Sequence, residues 1–116
     1  MSAHLELGRA GEAAAAFYRR CGYRIVERNY RCRSGEIDLI VRRGRLLVFC
    51  EVKTRASAVW GVPAEAVGAL KQNRIRRSAG TWLAEHHGPR RELRFDVVSV
   101  AVADGGLEVT HLSGAF

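Results

Sequence analysis

No apolar run in this sequence is long enough to span a bilayer, which argues against a membrane-spanning protein. Its three cysteines, Cys21, Cys32 and Cys50, lack C-x-x-C spacing. An odd count without a framework speaks against structural disulfides and for reduced thiols in the cytosol. Acidic residues are scarce, 12 against 19 Lys and Arg, leaving a formal charge of +7. That excess favours an anionic partner, nucleic acid first and a membrane surface second. A soluble protein that happens to be basic is the alternative. There is no Ser/His/Asp arrangement, zinc motif or Gly-rich phosphate loop. His4, His86, His87 and His111 are scattered, and His86-His87 reads as a helix-end cap or surface pair. The alanine run Ala13–Ala16 is too short for a signal-peptide core and is flanked by Glu12 and by Arg19-Arg20. Repeats, low-complexity segments and internal linkers are also missing. With 116 residues, the expectation is one domain, residues 1–116, in the cytoplasm of a bacterial-type cell.

What is present reads as αβββαββ. Leu5 to Cys21 has helical spacing through Leu5, Ala13, Ala16, Phe17 and Cys21, with Gly22 as its stop. Tyr23–Tyr30 is a first strand. Glu36–Val41 and Leu46–Lys53 form a hairpin around Arg42-Arg43-Gly44-Arg45. Thr54–Val62 reads as a loop, and Pro63 suits the first turn of a helix ending near Gly88-Pro89. The apolar stripe of that helix is Val67, Leu70, Ile75, Ala79 and Trp82. Leu93–Val102 and Leu107–Leu112 are the last strands, joined at Asp104-Gly105-Gly106. Leu46–Val52 is apolar on both faces, so it is expected at the centre of a sheet covered by helices on both sides.

The hairpin carries charges where apolar residues would be expected. Charged groups are seldom buried unless paired or metal-bound. Alternation places Phe49, Glu51 and Lys53 on one face. A two-residue turn at Arg43-Gly44 sets Asp38 diagonal to Glu51, and a four-residue turn sets it directly opposite; both put the two carboxylates on one face. A one-residue slip would separate them. Adjacent carboxylates repel unless a cation lies between them. Two hard oxygen ligands suit Mg²⁺ or Mn²⁺, with water and a substrate phosphate completing the shell. Asp38 and Glu51 are therefore the expected metal ligands. Lys53 is expected to orient the attacking water or stabilise charge on the phosphate. The competing reading is a Glu51–Lys53 ion pair at a strand end with Asp38 in a turn-side hydrogen bond.

Glu12 is a further candidate. Gly8 and Gly11 would let its helix approach the sheet and bring Glu12 to the metal; an exposed Arg9–Glu12 pair is the alternative. Lys71, Gln72, Arg74 and Arg77, with Ser78 at helical spacing and Arg55 just past Lys53, make a candidate phosphate-tracking surface. A solvated helix face competes with it. Asp96 is an acid inside an apolar strand, best read as paired with an arginine.

Gly8-Arg9-Ala10-Gly11-Glu12, Glu27-Arg28-Asn29-Tyr30, Gly35-Glu36-Ile37-Asp38-Leu39-Ile40, Phe49-Cys50-Glu51-Val52-Lys53-Thr54-Arg55 and Arg94-Phe95-Asp96-Val97-Val98 occur in this order. Together they closely resemble the YraN-like family of small bacterial proteins over nearly the whole chain. That family looks like a branch of the PD-(D/E)xK, or restriction-endonuclease-like, superfamily. In size and motif order it is similar to archaeal Holliday-junction resolvases. The resemblance implies an α/β restriction-endonuclease-like fold with a central mixed sheet flanked by helices. It matches Asp38, Glu51 and Lys53 to the metal-binding and catalytic positions, and Glu12 to a helix-one glutamate often found there. Cys50 stands where valine or isoleucine is more usual, which touches packing. The expected activity is metal-dependent DNA cleavage, on branched or damaged DNA among the candidate substrates. A non-catalytic nucleic-acid-binding module that keeps the fold is the alternative. The expected partners are DNA and, as a possible homodimer, a second copy of the chain.

Overall fold

The computed structural model describes residues 3–55, 67–103 and 105–116. Its elements are α1 (Ala3–Arg20), β1 (Arg24–Cys32), β2 (Gly35–Arg43), β3 (Leu46–Arg55), α2 (Ala69–Glu85), β4 (Glu92–Ala103) and β5 (Gly106–Leu112). This is the expected α/β, restriction-endonuclease-like αβββαββ order. The strands lie side by side in chain order with β3 at the centre. The β3–β4 pair is parallel and the others are antiparallel, so the sheet is mixed. Among the described residues, no helix is long and apolar enough to cross a membrane.

Alternation along β3 explains why both faces are covered. Val48 and Cys50 enter one buried cluster with Ala10, Ala14 and Tyr18 of α1. Leu47 and Phe49 enter the other with Ile75, Ala79 and Trp82 of α2. Period-two side chains on an apolar strand need two layers, and the helices supply one each.

Several boundaries and faces differ from the sequence reading. The buried side of α1 is Ala10, Ala14, Ala15 and Tyr18, while Cys21 is exposed; Leu5 lies outside the described side chains. The polar tyrosine was passed over because its value in the core is its hydroxyl. Thr54 and Arg55 extend β3 beyond the expected loop start, since β4 continues to pair with them. Pro63 lies outside the described residues, and α2 begins only at Ala69, because Gly68 before it has an extended backbone. Leu70, placed in the apolar stripe, is 69% exposed, and Ser78 is buried instead, bonded to the Arg74 carbonyl. His86 does cap α2, its ring stacked on Trp82. Gly22 ends α1 as expected. At φ 87° it lets the Tyr23 N–H reach back to the Tyr18 carbonyl at 3.0 Å, a reach that favours glycine.

Asp96 on β4 is fully buried and ties four parts of the chain together. Its carboxylate accepts from the Tyr18 hydroxyl of α1 (2.8 Å) and from Arg94 Nε and Nη2 (2.8 and 2.9 Å). It also accepts from the Gly114 N–H (3.0 Å) and lies 2.7 Å from His111 Nε2 of β5. Arg94 in turn reaches the Tyr23 hydroxyl. This bears out the pairing of Asp96 with an arginine. Burial alone would raise its pKa, but the bonds from Arg94, His111, Gly114 and Tyr18 outweigh it and hold the carboxyl below its ordinary range.

Tyr18→Phe is expected to lower unfolding free energy by about 1.5–3 kcal/mol, the range for a hydrogen bond to a charged group. Asp96→Ala should lower it by about 3–5 kcal/mol, since Arg94 is left half-buried and unpaired. Urea melts of the two variants against the parent chain measure both. Because the native pKa is depressed, the Asp96 contribution is present above the ordinary carboxylate range and is lost as pH falls through the lowered value. Equal midpoints for parent and variants at pH 7 would deny Asp96 this role.

Candidate active site

The pairing of β2 with β3 stops early. It runs from Arg43–Leu46 to Leu39–Cys50 around a two-residue turn, Gly44-Arg45. Yet β1 stays paired with β2 down to Gly35, and β4 stays paired with β3 out to Arg55. The two central strands therefore part like a fork, each holding its outer neighbour.

The cause lies at Asn29 and Asp38. Asn29 has φ 51°, the left-handed region, where asparagine is among the residues best tolerated. On one side of it, Arg28 and its partner Leu39 face α1. On the other, Tyr30 and its partner Ile37 face α2. Strict alternation would put residues two apart on one face. The twist at Asn29 swaps the faces of both strands, and Asp38 sits at the swap. Its carboxylate turns sideways and accepts the Val52 N–H at 2.8 Å. A side chain thus takes the bond that a β2 carbonyl would have taken.

The fork opens into a cleft of about 770 Å³. Gly8, Gly11 and Glu12 line it from α1, Arg28, Asn29 and Asp38 from the β1–β2 side, and Glu51, Lys53 and Lys71 from the other. Carried one step past Leu39–Cys50, this register sets Asp38 opposite Glu51; it does so through a two-residue turn at Gly44-Arg45, one residue beyond the expected Arg43-Gly44 and without the four-residue turn that direct opposition was expected to need. Burial and then the Glu51 charge push Asp38 up to about 6, with Glu36 adding to the rise and the Val52 N–H opposing it. Glu51 is 6% exposed.

Two cations answer these acids, and they are the chain's only two lysines. Lys71 Nζ lies 2.5 Å from Glu51 Oε1, while Lys53 Nζ stands at 4.0 Å. Burial, then the Lys71 charge, lowers the Lys53 pKa. For Lys71, burial is outweighed by the bond to Glu51, so its pKa rises. The Glu51–Lys53 ion pair of the competing reading is thus present only at the limit of contact, and Lys71 is the closer partner. Lys71 was read as part of a helix surface; from the first turn of α2 it reaches into the cleft instead. The apolar pattern of β3 and the position of α2 on its far face would have suggested this, but the reach of a side chain is not written in sequence spacing.

The other candidates divide. Glu12 lines the cleft, but its carboxylate is paired with Arg28, not Arg9, and is 65% exposed. Gly8 and Gly11 do not serve close packing, since a Cβ at either would meet nothing within 4 Å. They keep the α1 wall of the cleft low, and Ala10 and Ala14 make the contact with the sheet. Arg74 and Arg77 are exposed on α2, whereas the Gln72 amide is half-buried and donates to the Val67 carbonyl at 2.8 Å. Arg55 is half-buried at the end of β3. Ser78 faces the core and leaves the proposed surface.

Comparison with known proteins gives one family model, described as "Uncharacterised protein family UPF0102", matching residues 10–100. A UPF0102 protein of Nocardia farcinica is 52% identical over 112 residues, 95% of this chain and 88% of the relative. One from Frankia casuarinae is 49% identical over 118 residues, covering both chains fully. One from Anaeromyxobacter dehalogenans is 48% identical over 111 residues, 95% of this chain and 83% of the relative.

Asp38→Asn should stabilise the metal-free chain. A native pKa raised to about 6 means that ionising Asp38 works against folding, by up to about 3 kcal/mol. Asparagine keeps an oxygen for the Val52 N–H and drops the charge. The gain is expected in thermal melts in EDTA above pH 6, as a rise of up to roughly 10 °C. It should shrink as pH falls from about 6 and vanish below the ordinary carboxylate pKa. A variant less stable than its parent at pH 8 would contradict the repulsion between Asp38 and Glu51.

Proposed function

The chain belongs to the UPF0102 family, a YraN-like, PD-(D/E)xK nuclease-like group, and we propose that it is a metal-dependent DNA endonuclease acting in the cytoplasm. The observation that carries this reading is the fork: two carboxylates forced together at the parting of β2 and β3, with two lysines beside them. The repulsion within that pair opposes folding.

The donor set fits Mg²⁺ or Mn²⁺. Asp38 and Glu51 offer hard oxygens, and the open cleft leaves room for water and a phosphate. Among the described residues, no third His, Cys, Asp or Glu completes a metal cluster, so the remaining ligands fall to water, backbone and substrate. A divalent cation bound there supplies polarisation of the phosphoryl group and a lowered pKa for its water. Asp38, fixed by the Val52 N–H, and Glu51, fixed by burial, give that cation a rigid seat. Lys53, with its pKa lowered, stands where it can hold the attacking water or the phosphate oxygen. Glu12 supports from the α1 wall once its pairing with Arg28 loosens. Arg55, Lys71, Gln72, Arg74 and Arg77 form the phosphate-facing side, and branched or damaged DNA suits a cleft open at the end of the sheet.

One observation favours the rival, a binding module that retains the fold: Lys71 already neutralises Glu51 without a metal. Lys71→Met separates the two readings. If the acids are a cation seat, removing the competing ammonium should tighten Mn²⁺ binding several-fold in calorimetry, and Asp38→Asn should remove it. Lack of Mn²⁺ binding by the parent chain and by Lys71→Met alike would favour the module.

Cleavage itself is tested on branched, flapped, single-stranded and linear DNA with Mg²⁺ and Mn²⁺. Lys53→Ala is expected to keep DNA affinity within about twofold and to lose at least about 100-fold in cleavage rate, because it acts where charge develops. Asp38→Asn should abolish cleavage. Parent protein that cuts none of these substrates, or variants that cut as well as it does, would defeat the enzyme reading.

A further inference from the structure

The end of the sheet opposite the cleft is crowded with arginines. Arg24 and Arg42 are direct partners across β1 and β2. Arg45 sits in the β2–β3 turn, where its carbonyl receives the Glu92 N–H at 2.9 Å. Arg19 and Arg20 end α1 beside them, since Arg43 donates to the carbonyl of Cys21 at 2.9 Å. Arg19, Arg20, Arg24, Arg42 and Arg45 are all exposed, and none makes an ion pair among the described residues.

Part of this has a structural account. Arg19 and Arg20 lie in the last turn of a helix, where its dipole favours cations. Arg43 is used by the fold, donating to Cys21 and stacked over Tyr23. Arg42 gives one N–H to the Gly44 carbonyl. Arg24 and Arg45 have no such use. Like charges directly opposite on a sheet are destabilising, so the Arg24–Arg42 pair works against the fold that carries it. A polyanion laid across this end would remove that opposition.

We infer that this arginine end is a second binding surface for the phosphate backbone of DNA, separate from the cleft. Guanidinium forks match phosphate oxygens, and five that pair with no carboxylate among the described residues, Glu92 beside Arg45 included, are complementary to a phosphate track. A bilayer is the less suitable occupant. Among the described side chains of the helix at this end, α1, the apolar ones pack against the sheet and are not free to insert. Six steps along the chain lead from Arg45 to Glu51 on β3, roughly 20 Å at about 3.3 Å per step. One chain then holds two backbone segments at once, one at each end of β3. The inference does not rest on cleavage and holds equally for a chain that only binds.

The test uses the full chain in EDTA, so that no cutting takes place. Arg24→Glu combined with Arg45→Glu is titrated with a labelled 30-base-pair duplex across a range of NaCl. Beads carrying one duplex are also tested for protein-dependent capture of a second. The double variant is expected to bind at least about tenfold more weakly and to lose roughly 2 from the slope of log K against log salt, near 0.9 for each phosphate contact. It should fail to capture the second duplex while its Mn²⁺ binding stays that of the parent. Arg24→Gln with Arg45→Gln should also lose capture, which guards against misfolding by charge reversal. An unchanged slope, or a parent chain that captures no second duplex, overturns the inference. So does loss of binding to phosphatidylglycerol vesicles with DNA binding intact, which would assign the surface to a membrane. Failure of the cleavage assay alone leaves these outcomes unaffected.

Discussion

A single hydrogen bond, from the Val52 N–H to the Asp38 carboxylate, decides what the centre of this sheet becomes. Had a β2 carbonyl taken that N–H, the ladder would run on and close the gap between β2 and β3. A side chain takes it instead, at the point where Asn29 turns the neighbouring strand. The Val52 N–H is satisfied at the parting of the strands and is not left as an unpaired donor. The cleft, the approach of Lys71 from α2 and the confrontation of Asp38 with Glu51 all follow from that substitution.

The two buried acidic regions are instructive together because burial treats them alike. Desolvation raises the pKa of Asp96 and of Asp38. Around Asp96 every neighbour is a donor or a cation, and the carboxyl ends below its ordinary range. Around Asp38 the strongest charge effect comes from another carboxylate, and the pKa rises. One site is closed as a structural joint; in the other, Asp38 stays raised although two lysines stand beside Glu51. Lys71 is held on Glu51 by contact with a single oxygen. Such an arrangement is what a site for an exchangeable cation requires.

Much of this was legible in the sequence. The element order, the central place of β3 and the even register across the hairpin follow from apolar patterning, and patterning is set by backbone geometry. Asp38 and Glu51 could be paired on paper because period-two alternation is rigid over a few residues. What stayed hidden depends on departures from that regularity. Asn29 looks like any strand-end residue until its φ is known, and the fork with it. Tyr18 falls outside the spacing of Leu5, Ala13, Ala16, Phe17 and Cys21, and its partner, Asp96, lies 78 positions away. Gly8 and Gly11 suggested close packing, yet they face open space. Leu70 fits a helical stripe but lies on the exposed side of α2. Lys71 fits a solvent surface by spacing, yet a long flexible side chain can leave the face its Cα occupies.

The joint at Asp96 also bears on how the chain comes together in time. Neighbouring strands are consecutive in the chain, so the β1–β2–β3 meander closes through short turns with little loss of chain freedom. Helix α1 precedes all of them in synthesis, yet its Tyr18 finds its acceptor only on β4, beside His111 and the Gly114 N–H. The alanine face of that helix can settle on β2 and β3 as soon as they pair, but its tyrosine hydroxyl has no acceptor until β4 joins the sheet, so the meander and the joint are two separate steps in closing this side of the core.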